Sequence, residues 1–152
     1  MSGQLACIAF APEHLCALDA APVFAADGWQ RGCMESRAAA TVAAGPCWTV
    51  TLGGRPVACG GVVLLWRGVG EAWSLSAAGL SARALALHRI VAARLDRVQA
   101  DHDLHRIQTS VHIDNGPGRR WVARLGFKEE GIMQGYGPLG DDFVRLARGR
   151  TA

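Results

Sequence analysis

The sequence predicts an α/β protein of the α+β kind: one mixed, mostly antiparallel sheet of about seven strands with a single parallel pair. Three observations carry this. Strand-like and helix-like segments follow the order β-α-α-β-β-β-α-β-α-β-β along 152 residues. Ala84, Leu87, Val91, Leu95 and Val98 form one apolar stripe at helical period between two strand-like runs. Such a strand–helix–strand unit is a crossover, which makes its two strands parallel. The remaining strands follow one another through short turns, as antiparallel strands do.

Gln4–Phe10 reads as the first strand. Pro12 opens a short helix to about Leu18, since proline suits a first turn. Pro22–Ala40 reads as helix interrupted at Gly28 and Gly32. Cys47–Leu52 and Pro56–Trp66 are strands joined by the turn Gly53-Gly54-Arg55. Gly60-Gly61 predicts a bulge or a close backbone approach. Gly68–Gly70 turns into the strand Glu71–Ala77. Ser81 is placed to cap the helix 82–100. His105–His112 alternates apolar and polar residues as a half-buried strand does. The loop Asp114–Gly118 leads to a short helix, Arg119–Leu125, stopped by Gly126. Phe127–Gln134 and Phe143–Arg148 are the last strands.

Half the residues are hydrophobic and 19% are charged, which excludes disorder, collagen and coiled coil. The length suits one domain, residues 1–152. Net charge is +3, with the basic excess in the second half. No Lys/Arg-rich run interleaves with aromatics, so nucleic acid is not expected as a partner. The longest uncharged run, Ala38–Gly54, is broken by Gly45, Pro46 and Gly53-Gly54 and is no membrane span. Cys7, Cys16, Cys33, Cys47 and Cys59 are odd in number and contain no C-x-x-C, as reduced thiols would be. With no basic-then-apolar leader, the expected compartment is the cytoplasm. His102 and His105 lack a third ligand at metal spacing, so no metal is expected. Cys59 has no base in sequence reach and reads as a packed thiol.

Asn115, followed by Trp121-Val122-Ala123-Arg124-Leu125-Gly126-Phe127-Lys128-Glu129-Glu130-Gly131, resembles the ending of the GNAT acetyltransferase superfamily. A narrower resemblance joins Gly70-Glu71-Ala72-Trp73-Ser74-Leu75, Arg120-Trp121 and Gly135-Tyr136-Gly137-Pro138-Leu139-Gly140. Together these look like small phage virion-associated proteins with a GNAT-like fold.

The first resemblance implies helices on both faces of the sheet and acetyl-CoA as co-substrate. It implies acetyl transfer directly to the amine of a small molecule or peptide. The second implies a non-catalytic scaffold or interaction protein with phage virion proteins as partners. On the GNAT pattern, Leu75, Ser76 and Ala77 would offer backbone groups to the coenzyme's amides. Gly79, Ser81 and Arg83 would meet its pyrophosphate at the helix start, where unpaired N–H groups favour an anion. Asn115 would contact the coenzyme or hold its loop. Glu71 would be the general base. Two departures stand out. The pyrophosphate turn Ala77–Arg83 has one glycine and no G-x-G, and Val122 stands where many members carry a general-acid tyrosine. Tyr136 is the chain's one tyrosine.

Overall fold

Gly53-Gly54 and Arg67-Gly68 turn the chain back on itself twice and lay residues 47–76 down as a three-stranded meander. The computed structural model describes residues 3–18, 40 and 42–150. The strands are β1 (Leu5–Ala9), β2 (Cys47–Leu52), β3 (Arg55–Trp66), β4 (Val69–Ser76), β5 (Arg106–His112), β6 (Lys128–Met133) and β7 (Phe143–Gly149). Among the described residues the helices with both ends defined are α1 (Pro12–Cys16), α2 (Ala84–Asp101) and α3 (Gly116–Arg124). The strands form one sheet in the order β1-β2-β3-β4-β5-β7-β6. Every pairing is antiparallel except β4 with β5. The expected mixed sheet and its crossover are therefore present.

Side chains alternate across each strand, so the sheet has two unlike faces. On one, Val91, Leu95 and Val98 of α2 and Leu125 after α3 pack with Val50, Val62, Ile107 and Leu146. Ile107 and Leu146 are fully buried there. On the other, Leu15 of α1 packs with Leu18, Cys59 and Leu75. The helical stripe read from the sequence is the buried stripe of α2.

Three local expectations change. Gly60-Gly61 is no bulge, because the register runs unbroken there; the irregularities fall between Val50 and Thr51 and between Leu64 and Trp66. The pair permits close approach instead. A Cβ on Gly60 would meet the Trp48 ring at 3.4 Å, and one on Gly61 would meet Trp73 Nε1 at 2.8 Å. Ser81 caps nothing: Ser81–Arg83 is a 3₁₀ turn before α2, closed by Arg83 N–H donating to the Leu80 carbonyl (2.9 Å). The last helix starts at Gly116, a turn earlier than expected, because Asn115 Oδ1 accepts the Gly118 N–H (3.0 Å). The helical reading of Pro22–Ala40 lies, apart from Ala40, outside the described residues, as does Cys33.

Candidate functional site: the fork between the parallel strands

Pairing of β4 with β5 covers only Val69–Glu71 against Arg106–Gln108. Beyond Glu71 the two strands part, each held by its outer neighbour, β3 and β7. The β5-facing edge of residues 72–76 is therefore left without a strand partner. Backbone groups alternate between the two edges of a strand, and two hydrogen bonds set the phase. Ala77 N–H donates to the Val57 carbonyl on the β3 side (2.8 Å). The Thr109 hydroxyl donates to the Ala72 carbonyl on the β5 side (2.9 Å). Ala72, Ser74 and Ser76 thus turn their backbones into the fork, whereas Leu75 and Ala77 turn theirs toward β3. Of the three backbone positions read from the sequence, only Ser76 faces the fork.

A cavity of about 230 Å³ adjoins the fork on the α2/α3 face. Small residues of β3 and β4 (Ala58, Gly60, Ala72) floor it, and Leu87 and Val91 of α2 roof it. Trp121 and Val122 of α3 line it too. Val122 therefore faces the cavity, with no group able to move a proton. Leu80 and Ser81 stand at its α2 end. Gly79 turns the chain at φ +80°, a conformation side chains with a Cβ rarely adopt. A Cβ at Gly79 would meet nothing within 4 Å, so the turn is open to solvent. Asn115 spends its side-chain oxygen on the α3 cap.

The opposite face of the fork is polar. Glu71 pairs with Arg145 (3.0 Å) and accepts from Gln108 Nε2 (3.3 Å). Arg106 donates to Gln108 Oε1 (3.0 Å) and pairs bidentately with Glu130. That pairing holds the Glu130 carboxyl below its usual range and raises the Arg106 guanidinium. Arg145 also lies over the Tyr136 ring, 6.0 Å from its centroid. The loop carrying Tyr136 is clipped to β5 by Asp141, 3.1 Å from His112 Nε2. Sequence reading missed Arg145 and Gln108. Gln108 is signalled by the alternation of β5, but Arg145 is 74 residues from Glu71 and meets it only because β7 pairs with β5.

Cys59 packs with Leu15, Leu18 and Leu75 under α1, and it also borders the cavity. Burial pushes its thiol up to about 11. Its neighbour Thr49 is hydrogen-bonded through Oγ1 to His14 Nδ1 (2.8 Å), which lies 3.1 Å from the Ala11 N–H nitrogen, and this ties α1 to β2. Cys7, Cys16, Cys47 and Cys59 form no disulfide among the described residues. Among the same residues no three His, Cys, Asp or Glu side chains are grouped to hold a metal, and no helix is long and apolar enough to cross a membrane.

No family model and no curated protein matches the sequence. Solved structures match over nearly the whole chain. Ard1 from Thermoplasma volcanium superposes with a TM-score of 0.80 at 10% identity, covering 97% of this chain and 99% of that one. A GNAT-family acetyltransferase from Bacillus anthracis gives 0.74 at 17% identity, covering 98% and 96%. RimJ from Mycobacterium smegmatis, in complex with CoA-disulfide, gives 0.74 at 19% identity, covering 97% and 82%. The chain has the GNAT fold.

Proposed function

We propose that this chain binds an acyl-CoA in the fork and passes the acyl group directly to the amine of a small molecule or peptide. The observation that supports it most is the open edge of β4, with its backbone groups turned into the fork beside an apolar cavity. Ala72, Ser74 and Ser76 suit the amides of a pantetheine arm, which needs donors and acceptors along an extended line. The solvent-open turn Gly79–Arg83 suits the pyrophosphate, through N–H groups at a helix start and the Arg83 guanidinium. In the transfer, the amine nitrogen bonds to the acyl carbon as the carbon–sulfur bond breaks. Glu71, on the polar face, takes the amine proton directly or through one water. Its carboxylate keeps lone-pair sites beyond the two that Arg145 and Gln108 use. With Val122 in the cavity, the departing thiolate takes its proton from water.

A second reading keeps the coenzyme site without catalysis, as in a virion or interaction protein. Val122 and the single-glycine turn favour it. Calorimetric titration with acetyl-CoA tests the shared claim. The expected dissociation constant is roughly 100 μM, about 5.5 kcal/mol, and Arg83→Glu weakens it about tenfold through lost attraction and added repulsion. No heat at millimolar acetyl-CoA would overturn the reading. Submicromolar binding indifferent to Arg83→Glu would place the coenzyme elsewhere. Production of free CoA with an amine present separates the enzyme from the scaffold.

A further inference from the structure

We propose that the polar face of the fork is the acceptor's subsite and that the acceptor is a free α-amino acid, its ammonium at Glu71 and its carboxylate at Arg145. This rests on the transfer reading above and names the class of amine it uses.

Arg145 has donors to spare. It spends Nη1 on Glu71, and among the described residues its Nε and Nη2 have no hydrogen-bond partner. Arg106 and Arg119 differ, since each commits Nε, Nη1 and Nη2 to acceptors. The Arg145 side chain is only 20% exposed, so its idle donors are partly shielded from water. A guanidinium presents its N–H groups as a planar fork, which suits a carboxylate. Ser110 stands opposite Arg145 in the β5–β7 register and so shares its face. Its hydroxyl is paired only with the Met133 sulfur, a weak acceptor, at 3.7 Å. Two neighbouring side chains on this face thus have donors suited to one small anion.

The pair is also placed for the reaction. Glu71 is the last residue of β4 paired with β5, so it stands where the strands begin to part. A coenzyme with its pyrophosphate at Gly79–Arg83 and its arm along residues 76 to 72 brings its thioester to that end. An α-amino acid carries opposite charges on either side of one carbon, and Glu71 and Arg145 present the complementary signs 3.0 Å apart. The two carboxylates and two guanidiniums of the ladder cancel. A zwitterion keeps that balance, whereas a polyamine would add several positive charges. The transfer then closes without a further reactant. Glu71 takes one ammonium proton and passes it to water. The freed nitrogen bonds to the acyl carbon as the carbon–sulfur bond breaks, and a second nitrogen proton reaches the thiolate through water. The products are an N-acyl amino acid, CoA and one proton.

The test compares leucine, leucinamide, the peptide Leu-Gly-Gly and spermidine as acceptors for the intact chain with acetyl-CoA, reading N-acetyl product by mass spectrometry. Leucinamide has the more readily deprotonated amine, so amine reactivity alone would favour it. Recognition of the carboxylate reverses that order, and kcat/KM for leucine should exceed that for leucinamide by about tenfold or more. Leucinamide, the peptide or spermidine reacting as well as leucine would overturn the amino-acid subsite while leaving the transfer reading intact. No product from any amine, although acetyl-CoA binds by calorimetry, would overturn the transfer reading and the subsite with it. Arg145→Gln, checked for cooperative melting, should bring the ratio of leucine to leucinamide close to one, an effect that a merely structural role for Arg145 would not produce. An unchanged ratio would show that the carboxylate is held elsewhere. The ratio in the parent decides the question alone if the variant fails to fold.

Discussion

Toward α2 and α3, β4 presents Ala72, Ser74 and Ser76; toward the α1 face it presents Glu71, Trp73 and Leu75. One strand thus serves two unlike environments at the fork. The first face is floored with small residues and encloses a cavity. The second carries the linked ion pairs Glu71–Arg145 and Arg106–Glu130, bridged by Gln108. The difference teaches a division of labour. A cavity can persist only where surrounding packing is strong enough to offset it. A partly hydrated ladder of charges contributes little to stability and instead holds polar groups in fixed positions beside the fork.

Mutation of each face should expose that contrast, and the cavity face should respond most. Ile107→Ala removes a fully buried side chain between β4 and β7 and should cost about 4 kcal/mol in urea unfolding. A loss under 1 kcal/mol would mean that the core beside the cavity is already loose.

The next effect sharpens the α1 side. The folded Cys59 thiol holds its proton up to about pH 11, whereas an ordinary thiol releases it near 9.0. Stability owed to the neutral thiol is full below pH 9 and declines as pH rises toward 11, because the unfolded chain ionises first. The decline should approach about 2 kcal/mol relative to Cys59→Ala, which lacks this titration. Parallel curves for the two proteins would show that the thiol is hydrated.

The smallest effect belongs to the exposed ladder. Arg106 lowers the folded carboxyl of Glu130. Its contribution is therefore present above the ordinary carboxylate range and is lost as pH falls through the folded value. Glu130→Gln should lower the melting temperature slightly at pH 7 and by less as the pH falls below the ordinary carboxylate range. A large loss at pH 7 would mean that the polar face carries structural weight, contrary to the division drawn above.

Much of the architecture was legible because it repeats locally. A stripe at helical period marks α2, alternation marks β5, and their succession requires the β4–β5 crossover. The Asn115 to Phe127 spacing pointed to the fold that the solved structures share. The site was less legible. Local pattern leaves open which edge of β4 the backbones of Leu75 and Ala77 face; the pairing of Ala77 with Val57 turns both toward β3.

The sequence by itself determined the elements, their order and the apolar stripes, because these follow from short-range periodicity and turn chemistry. Only the tertiary structure decided what long-range packing controls. Trp48 and Trp73, from two different strands, lie against the glycine pair of β3 and turn an apparent break into a close approach. β7 beside β5 carries Arg145 to Glu71 across 74 residues. The parting of β4 from β5 opens the fork, and the packing of α2 and α3 over small residues leaves a cavity beside it. Each depends on contacts between segments far apart in the chain, which no local pattern encodes.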